Sequence, residues 1–360
     1  MTYITKPKVR HPSLPKNRLG LTTRDYEGAM STLCAGCGHD SITAAIIQAV
    51  FDLSIEPHRV AKMSGIGCSS KTPTYFMGQA HGFNSVHGRM PAIATGANAG
   101  NRDLICIGVS GDGDSLSIGL GQLCHAIRRN VDMLYVIENN GVYGLTKGQF
   151  SASADVGTKS KRGVENVSPP IDPVFLALTL GATFVARSFS GDKAQLVPIL
   201  KAGIQHRGFA LVDVISPCVA FNDHEGSTKS YMYTREHALP LLEADFMPAP
   251  VATDFVPIQR EITTSYEPGS VNTVTLHDGS TVRFRKIPEG YDPTDRDAVY
   301  SYLREREHSG EVVTGLLYVD PASADMHATM QTVEHPLSAL PFEELCPGKA
   351  ALEEIQKGFI

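Results

Sequence analysis

The stretch LICIGVSGDGD, residues 104–114, is an apolar run of strand length that ends in Gly111-Asp112-Gly113-Asp114. It is answered by MLYVIENNG, residues 133–141, where a second apolar run ends in Asn139-Asn140-Gly141. β-Branched and aromatic residues recur in both runs, as strands require. Between them Ser115 to Arg129 fits a crossover helix, so both polar motifs are expected at one edge of a parallel sheet. Ligands bind at that edge in open parallel sheets, because loops converge there and helix N-termini direct free N–H groups at anions. Gly111 and Gly113 let the backbone approach a phosphate closely. Asp112 and the amide oxygen of Asn140 are the hard oxygen ligands that a divalent cation between two phosphates needs. Either motif alone reads as an ordinary turn or helix stop; the two together, each after its own strand, point to a diphosphate and a metal.

The rest of the first half continues the pattern. Asp40 to Leu53 has apolar residues at helical spacing, Arg59 to Ser64 reads as a strand, and Asp172 to Leu180 and Lys193 to His206 read as helices. Further strands are expected at Thr183 to Ala186 and Phe209 to Ile215. The fold class predicted is therefore α/β, a central parallel sheet flanked by helices. Past Pro217 the pattern loosens. Val271 to Ile287 alternates around Asp278-Gly279 as a β-hairpin does, and a helix at Asp297 to Glu307 and a strand at Thr314 to Val319 follow. This predicts an N-terminal arm over 1–30, a main domain over 31–220 and an irregular C-terminal extension or cap over 221–360.

Seven cysteines, an odd number in a chain of 360 residues, argue against a disulfide framework. Cys34 and Cys37 form a C-x2-C pair on a glycine-containing loop, and Cys68 and Cys218 each follow a predicted strand. If those strands neighbour the ones that carry GDGD and NNG, four thiolates meet beside the diphosphate site. Spacing leaves structural zinc and a [4Fe–4S] cluster both open. Cys106 lies inside a strand and Cys124 on a helix, so both read as buried structural thiols. Cys346 has no assigned role.

The segments CAGCGH, GIGCSSK, GDGD, NNGVYGLTKGQ and SPC, in this order and spacing, resemble the β subunits of 2-oxoacid:ferredoxin oxidoreductases over about Cys34 to Cys218. The resemblance implies the thiamine-diphosphate-binding fold, with Mg²⁺ held by Asp112, Asn140 and the backbone carbonyl of Val142. It implies that Ile66, Gly67, Cys68, Ser69, His87, Gly111, Gly113, Asp114, Gly144 and Leu145 line thiamine diphosphate, with His87 taken from an HGR segment. It further implies one [4Fe–4S] cluster on Cys34, Cys37, Cys68 and Cys218. His87 and Lys71 are the implied catalytic residues, and Lys71, Lys147 and Leu145 the implied substrate contacts. The reaction implied is the reversible, coenzyme A-dependent oxidative decarboxylation of a 2-oxoacid, with electrons leaving through the cluster to ferredoxin. Lysines at 71 and 147 resemble the members that act on 2-oxoglutarate or on a broad range, whereas pyruvate-type relatives read TGGQ at the second position. A distal carboxylate needs such a cation. The activating glutamate of thiamine enzymes is expected from a separate α subunit, so this chain alone is expected to bind a cluster and not to turn over.

Composition narrows the field. Lys+Arg 32 against Asp+Glu 38, a formal charge of −6, leaves no electrostatic footprint for nucleic acid or an anionic membrane. The apolar runs are strand-sized and Met1 to Leu21 lacks the apolar centre of a signal peptide, so a cytoplasmic location is expected. No C-x2-C-x2-C-x3-C run occurs, so one cluster per chain is all the sequence supplies. Two rivals remain at this stage, a non-redox thiamine decarboxylase or synthase and a zinc-stabilised scaffold without enzymatic activity.

Overall fold

A computed structural model describes residues 11–160, 162–240, 243–248, 272–285, 291–346 and 348–359. Its strands are β1 (Val60–Ser64), β2 (His81–Asn84), β3 (Ile105–Gly111), β4 (Met133–Asn139), β5 (Val142–Tyr143), β6 (Gln149–Phe150), β7 (Phe184–Phe189), β8 (Phe209–Ile215), β9 (Ala238–Pro240), β10 (Glu243–Met247), β11 (Asn272–Thr275), β12 (Thr281–Arg285) and β13 (Val312–Val319). Eight of them form one sheet in the order β2-β1-β3-β4-β8-β7-β13-β9. From β2 through β7 every pairing is parallel. β4 and β8 are buried along their whole length, which is why both read as unbroken apolar runs.

The α-helices are α1 (Gly38–Asp52), α2 (Thr72–Tyr75), α3 (Met90–Gly100), α4 (Leu120–Arg128), α5 (Pro173–Leu180), α6 (Lys193–Gln205), α7 (Tyr231–His237), α8 (Arg296–His308), α9 (Met326–Met330), α10 (Phe342–Leu345) and α11 (Gly348–Lys357). α1 packs on α6, while α3, α4, α5 and α8 form a second row of contacts, giving helices on both sides of the sheet. In α1 the residues Ile42, Ala45, Ile46, Ala49 and Val50 recur at helical spacing and all are buried. α5 starts where the Asp172 carboxylate accepts the N–H groups of Val174 and Phe175 with Pro173 at the first position, and stops at Gly181 with φ 85°.

Two expectations are corrected. The crossover expected from Ser115 does not begin as an α-helix: Gly113–Ile118 is a π-turn, and α4 starts only at Leu120. Four glycines, at 111, 113, 119 and 121, loosen this entry into the helix. The segment beyond 220 is not a mere cap, because β13 lies antiparallel to β7 and parallel to β9 inside the central sheet. Its residues from Val313 to Val319 are buried, and a sheet whose β7 edge stayed open would leave that apolar strand in water. The sheet is accordingly mixed and mostly parallel. The described part of the N-terminal arm is docked as well, since Tyr26 is fully buried and its hydroxyl donates to the carbonyl of Ile55 at 2.8 Å. The hairpin expected around Asp278-Gly279 is β11–β12, antiparallel and joined by β10 in a small second sheet. Residues 271 and 286–287 of that expectation lie outside the described residues, as do residues 1–10 of the arm.

The hairpin meets the main body at the opposite edge of the sheet from the diphosphate motif. Its His277 ring lies 5.2 Å from that of His206, which follows α6. Thr183 Oγ1 donates to Asn130 Oδ1 at 2.9 Å, so His206 Nε2, at 2.8 Å, donates to Thr183, and its buried Nδ1 has no partner among the described residues. Burial, with a smaller contribution from His277, pushes His206 down from its ordinary 6.5 to about 3. A histidine depressed in the folded state binds its proton more readily when unfolded, so its contribution to stability is full above pH 6.5 and is lost as pH falls toward 3. His206→Gln is expected to cost about 1–3 kcal/mol in denaturant unfolding at pH 7.5, with a deficit relative to wild type that narrows at pH 5. A deficit independent of pH contradicts this account.

Candidate diphosphate, metal and thiol site

The order β1-β3-β4-β8 puts four parallel strands side by side, and their C-terminal ends release the GIGCSSK, GDGD, NNGVYGL and SPC loops at one edge. The chain reverses direction across the sheet between β1 and β3, the kind of position where a crevice opens. The CAGCGH loop enters the same edge at the start of α1, with Cys37 immediately before the helix.

Asp112 is 1% exposed and is the hub of the metal half. Its carboxylate accepts the N–H groups of Asn140 at 3.4 Å and Gly141 at 3.0 Å, the hydroxyl of Ser153 at 2.6 Å and the hydroxyl of Ser151. Burial raises its pKa against those donors. The single Ser153 hydroxyl proton is shared between Asp112 and Asn139 Oδ1, and Asn139 Nδ2 donates to Asp213, which accepts from Arg187, so a chain of polar contacts runs from Asp112 into β8 and β7. Asn140 Oδ1 accepts the Val142 N–H at 3.0 Å, and the buried Asn222 clamps the Asn140 carbonyl at 2.8 Å. Asp112, the Asn140 amide oxygen and the Val142 carbonyl are an all-oxygen set of the kind magnesium takes.

Asp114 lies beneath this edge and ties two other loops together. Its carboxylate accepts the Gly88 N–H at 2.8 Å, the Ile66 N–H at 3.3 Å and the Ser110 hydroxyl at 2.8 Å. It thereby fixes the HGR and GIGC loops, while His87 itself is exposed at the rim. Gly113 touches the Tyr143 ring so closely that a Cβ there would stand 2.6 Å from it. Ser69 packs the same way against Gly111. In this loop the buried Ser70 hydroxyl has no partner among the described residues, and Gly67 faces open space, both features a bound anionic cofactor would use.

All seven cysteines are free, and Cys34, Cys37, Cys68 and Cys218 lie near enough to one another at the edge to interact electrostatically. Burial pushes Cys37 up to about 12 and raises Cys68 and Cys218 too. The thiols add to this: Cys218 acts on Cys37 and Cys68, and Cys34 acts on Cys68 and Cys218. Lys71 works in the opposite direction on Cys68. A Cβ on Gly144 would stand 3.4 Å from the Cys68 sulfur and 3.7 Å from the Cys218 sulfur, so the NNGVYGL loop borders the thiols directly. Among the described residues no three Cys, His, Asp or Glu side chains are drawn together at the spacing of a single-ion site. Of the remaining cysteines, Cys106 is buried in β3, Cys124 is half-buried on α4 and Cys346 is exposed.

Lys71 closes the short turn after Cys68 and is half-buried, whereas Leu145 and Lys147 are exposed on the turn between β5 and β6. Lys147 has φ 80°, in the left-handed region that disfavours side chains with a Cβ. Reading motifs missed several groups that the fold brings in: Ser151, Ser153, Asn222, Glu138 and His39. His39 stood in the quoted CAGCGH segment, but nothing local signals that it turns inward. It is 1% exposed, and burial pushes it down to about 4, while burial pushes the Glu138 carboxyl up. Their 3.4 Å contact is therefore not an ion pair at neutral pH.

Residues 65–214 match the family described as thiamine pyrophosphate enzyme, C-terminal TPP binding domain. The chain is 42% identical over 207 residues to the 2-oxoacid:ferredoxin oxidoreductase subunit beta of Saccharolobus solfataricus, a match covering 57% of this chain and 67% of that one. It is 33% identical over 219 residues to the 2-oxoglutarate synthase subunit KorB of Methanocaldococcus jannaschii, covering 59% of this chain and 80% of the relative. The 2-oxoglutarate:ferredoxin oxidoreductase from Magnetococcus marinus, solved with 2-oxoglutarate, coenzyme A and succinyl-CoA bound, superposes with a TM-score of 0.70 at 28% identity. That match covers 93% of this chain and 97% of that one. No helix among the described residues is long and apolar enough to cross a membrane.

Because Asp114 holds three donors at once, Asp114→Asn turns one acceptor into a donor that faces them. The substitution is expected to cost about 1–3 kcal/mol in denaturant unfolding and to speed hydrogen exchange at the Gly88 and Ile66 amides. Unchanged exchange at both would show that the carboxylate does not hold these loops.

Proposed function

The chain belongs to the β subunits of 2-oxoacid:ferredoxin oxidoreductases, in their 2-oxoglutarate type, and from that membership we propose that it carries both thiamine diphosphate with Mg²⁺ and one [4Fe–4S] cluster. The reaction proposed is the reversible conversion of 2-oxoglutarate and coenzyme A to succinyl-CoA and CO₂, with electrons passed through that cluster to ferredoxin. One observation carries the reading. Gly144 belongs to the loop read as the diphosphate bed, and it lies against the Cys68 and Cys218 sulfurs, so the two sets of residues share a border. Beside a non-redox thiamine enzyme or a zinc scaffold, this arrangement favours a cluster next to the cofactor.

When bound, thiamine diphosphate supplies the electron sink for decarboxylation and the cluster supplies the one-electron outlet. The chain's own residues do the rest. Asp112, Asn140 and the Val142 carbonyl hold the magnesium, and the Ser151 and Ser153 hydroxyls aim the Asp112 carboxylate. Gly113, Gly144, Leu145 and the loop from Ile66 to Ser69 line the diphosphate, and Asp114 holds that loop against Gly88. His87 stands at the rim where a proton donor or acceptor meets the substrate. Cys34, Cys37, Cys68 and Cys218 hold the cluster, and burial raises the Cys37, Cys68 and Cys218 thiols so that these three release protons as it assembles. The α subunit supplies the remaining half of the pocket.

Lys71 and Lys147 are the proposed partners of the distal carboxylate. Neither forms an ion pair or a side-chain hydrogen bond among the described residues. Lys147 also holds a backbone conformation that costs a residue other than glycine on the order of 1–2 kcal/mol. Glycine, as in the TGGQ of pyruvate-type relatives, is the unstrained choice there. A lysine kept in that conformation is a sign of a functional requirement.

Anaerobic purification with and without the α subunit tests the assignment. A brown protein, with an EPR signal on reduction and bound thiamine diphosphate, is expected to turn over only in the complex; Cys68→Ala should bleach it and Asp112→Ala should abolish Mg²⁺-dependent cofactor binding. A colourless wild-type protein, or full activity without the α subunit, refutes the reading. Lys147→Gly is expected to raise unfolding stability by about 1 kcal/mol while lowering kcat/KM for 2-oxoglutarate at least tenfold relative to pyruvate. Unchanged selectivity would remove Lys147 from the substrate site.

A further inference from the structure

The buried ring of His39 faces both halves of the site. Its Nε2 lies 3.4 Å from Nδ2 of Asn140, and its Nδ1 lies 2.6 Å from Oγ of Ser216 and 3.4 Å from Oε2 of Glu138. The Glu138 carboxylate also takes up the Thr72 hydroxyl at 2.9 Å. These partners come from three loops of the edge besides the one that carries His39. His39 follows Cys37 by two residues, Thr72 follows Cys68 by four, Ser216 precedes Cys218 by two and Glu138 precedes Asn140 by two. One buried imidazole therefore belongs to the loop of Cys34 and Cys37 and is in contact, directly or through Glu138, with the loops of Cys68 and Cys218 and with the loop of the metal-binding amide.

The hydrogen-bond roles are determined by chemistry. Asn140 Oδ1 is occupied by the Val142 N–H, which leaves the amide nitrogen toward His39. An amide nitrogen only donates, so Nε2 of His39 accepts and the ring proton is on Nδ1, directed at Ser216 and Glu138. A ring protonated on Nε2 would instead demand the Asn140 oxygen, and the amide would have to turn its NH₂ toward the cation.

We propose that His39 is a positioning residue that, as its Nδ1–H tautomer, keeps the Asn140 oxygen on the metal side and through the same ring holds the cysteine loops in register with that amide. The proposal rests on reading Asn140 as a magnesium ligand and the four thiols as cluster ligands. Partners one shell beyond a metal's ligands commonly change affinity tenfold or more when removed, and hydrogen bonding around a cluster's loops tunes its potential.

Two substitutions separate the two ends of the ring. His39→Asn places an amide nitrogen near the position of Nδ1 and keeps the Ser216 contact while losing Asn140. His39→Gln reaches toward the position of Nε2, where its oxygen accepts from Asn140, and loses Ser216. In the anaerobic αβ complex, Mg²⁺-dependent thiamine diphosphate affinity is measured by calorimetry, and the reduced cluster by EPR and its midpoint potential. His39→Asn is expected to weaken cofactor binding about tenfold or more with the cluster signal unchanged. His39→Gln is expected to keep wild-type cofactor affinity and to shift the cluster's spectrum and potential. If both variants alter both properties alike, or neither alters either, the proposal is overturned. Should the His39 variants not accumulate, Ser216→Ala decides: a shifted cluster at unchanged cofactor affinity supports the proposal and an unshifted cluster overturns it. A wild-type complex lacking thiamine diphosphate or the cluster overturns the underlying reading instead.

Discussion

The parallel ladder β1-β3-β4-β8 is the constraint on which everything else in this chain depends. Parallel pairing makes every strand end on the same side, so four separate stretches of sequence deliver their loops to one line about 15 Å long, at the usual spacing of about 4.8 Å between strands. Without that registry Asp112 and Asn140 would not meet, and Cys68 and Cys218 would be far apart. The ladder is held in turn by the buried apolar residues of β4 and β8 and by helices on both sides. The chemistry of the edge therefore rests on ordinary core packing some distance below it.

Much of this was legible in the sequence because the signals were local. An apolar run followed by GDGD, a helix, and a second apolar run followed by NNG specify a strand-helix-strand unit, and the structure keeps that order from Ile105 to Asn139 although the α-helix starts at Leu120 instead of Ser115. The limits of α1 and α6 differ from expectation by at most two residues, and those of β8 coincide with it. The role of the C-terminal third was not legible. Thr314 to Val319 reads as a strand, but nothing within it says that its partner is β7, more than a hundred residues earlier in the chain. Long-range pairing depends on what remains uncovered once the rest has folded.

The site divides in the same way. Residues with a characteristic type and spacing, such as the cysteines and the two motif carboxylates, stood out at once. Those supporting them did not. Ser151, Ser153 and Asn222 are common residues in loops, and their roles arise only when a distant carboxylate or carbonyl is brought against them. Asp114 shows the converse, since a residue inside the motif turns out to spend its carboxylate on two neighbouring loops. A motif marks where a site is, and the three-dimensional contacts assign the work within it.

The pairing of β13 with β7 has a consequence for the birth of the protein. Cys34, Cys37, Cys68, Cys218, Asp112, Asn140 and Val142 are all synthesised before the chain reaches β13, the strand that covers β7. A nascent chain at that stage presents the apolar strand Phe184–Phe189 as an open edge, able to pair with the same strand of another chain. Thiols and edge are thus exposed together on the ribosome until β13 pairs with β7 and closes that side of the strand.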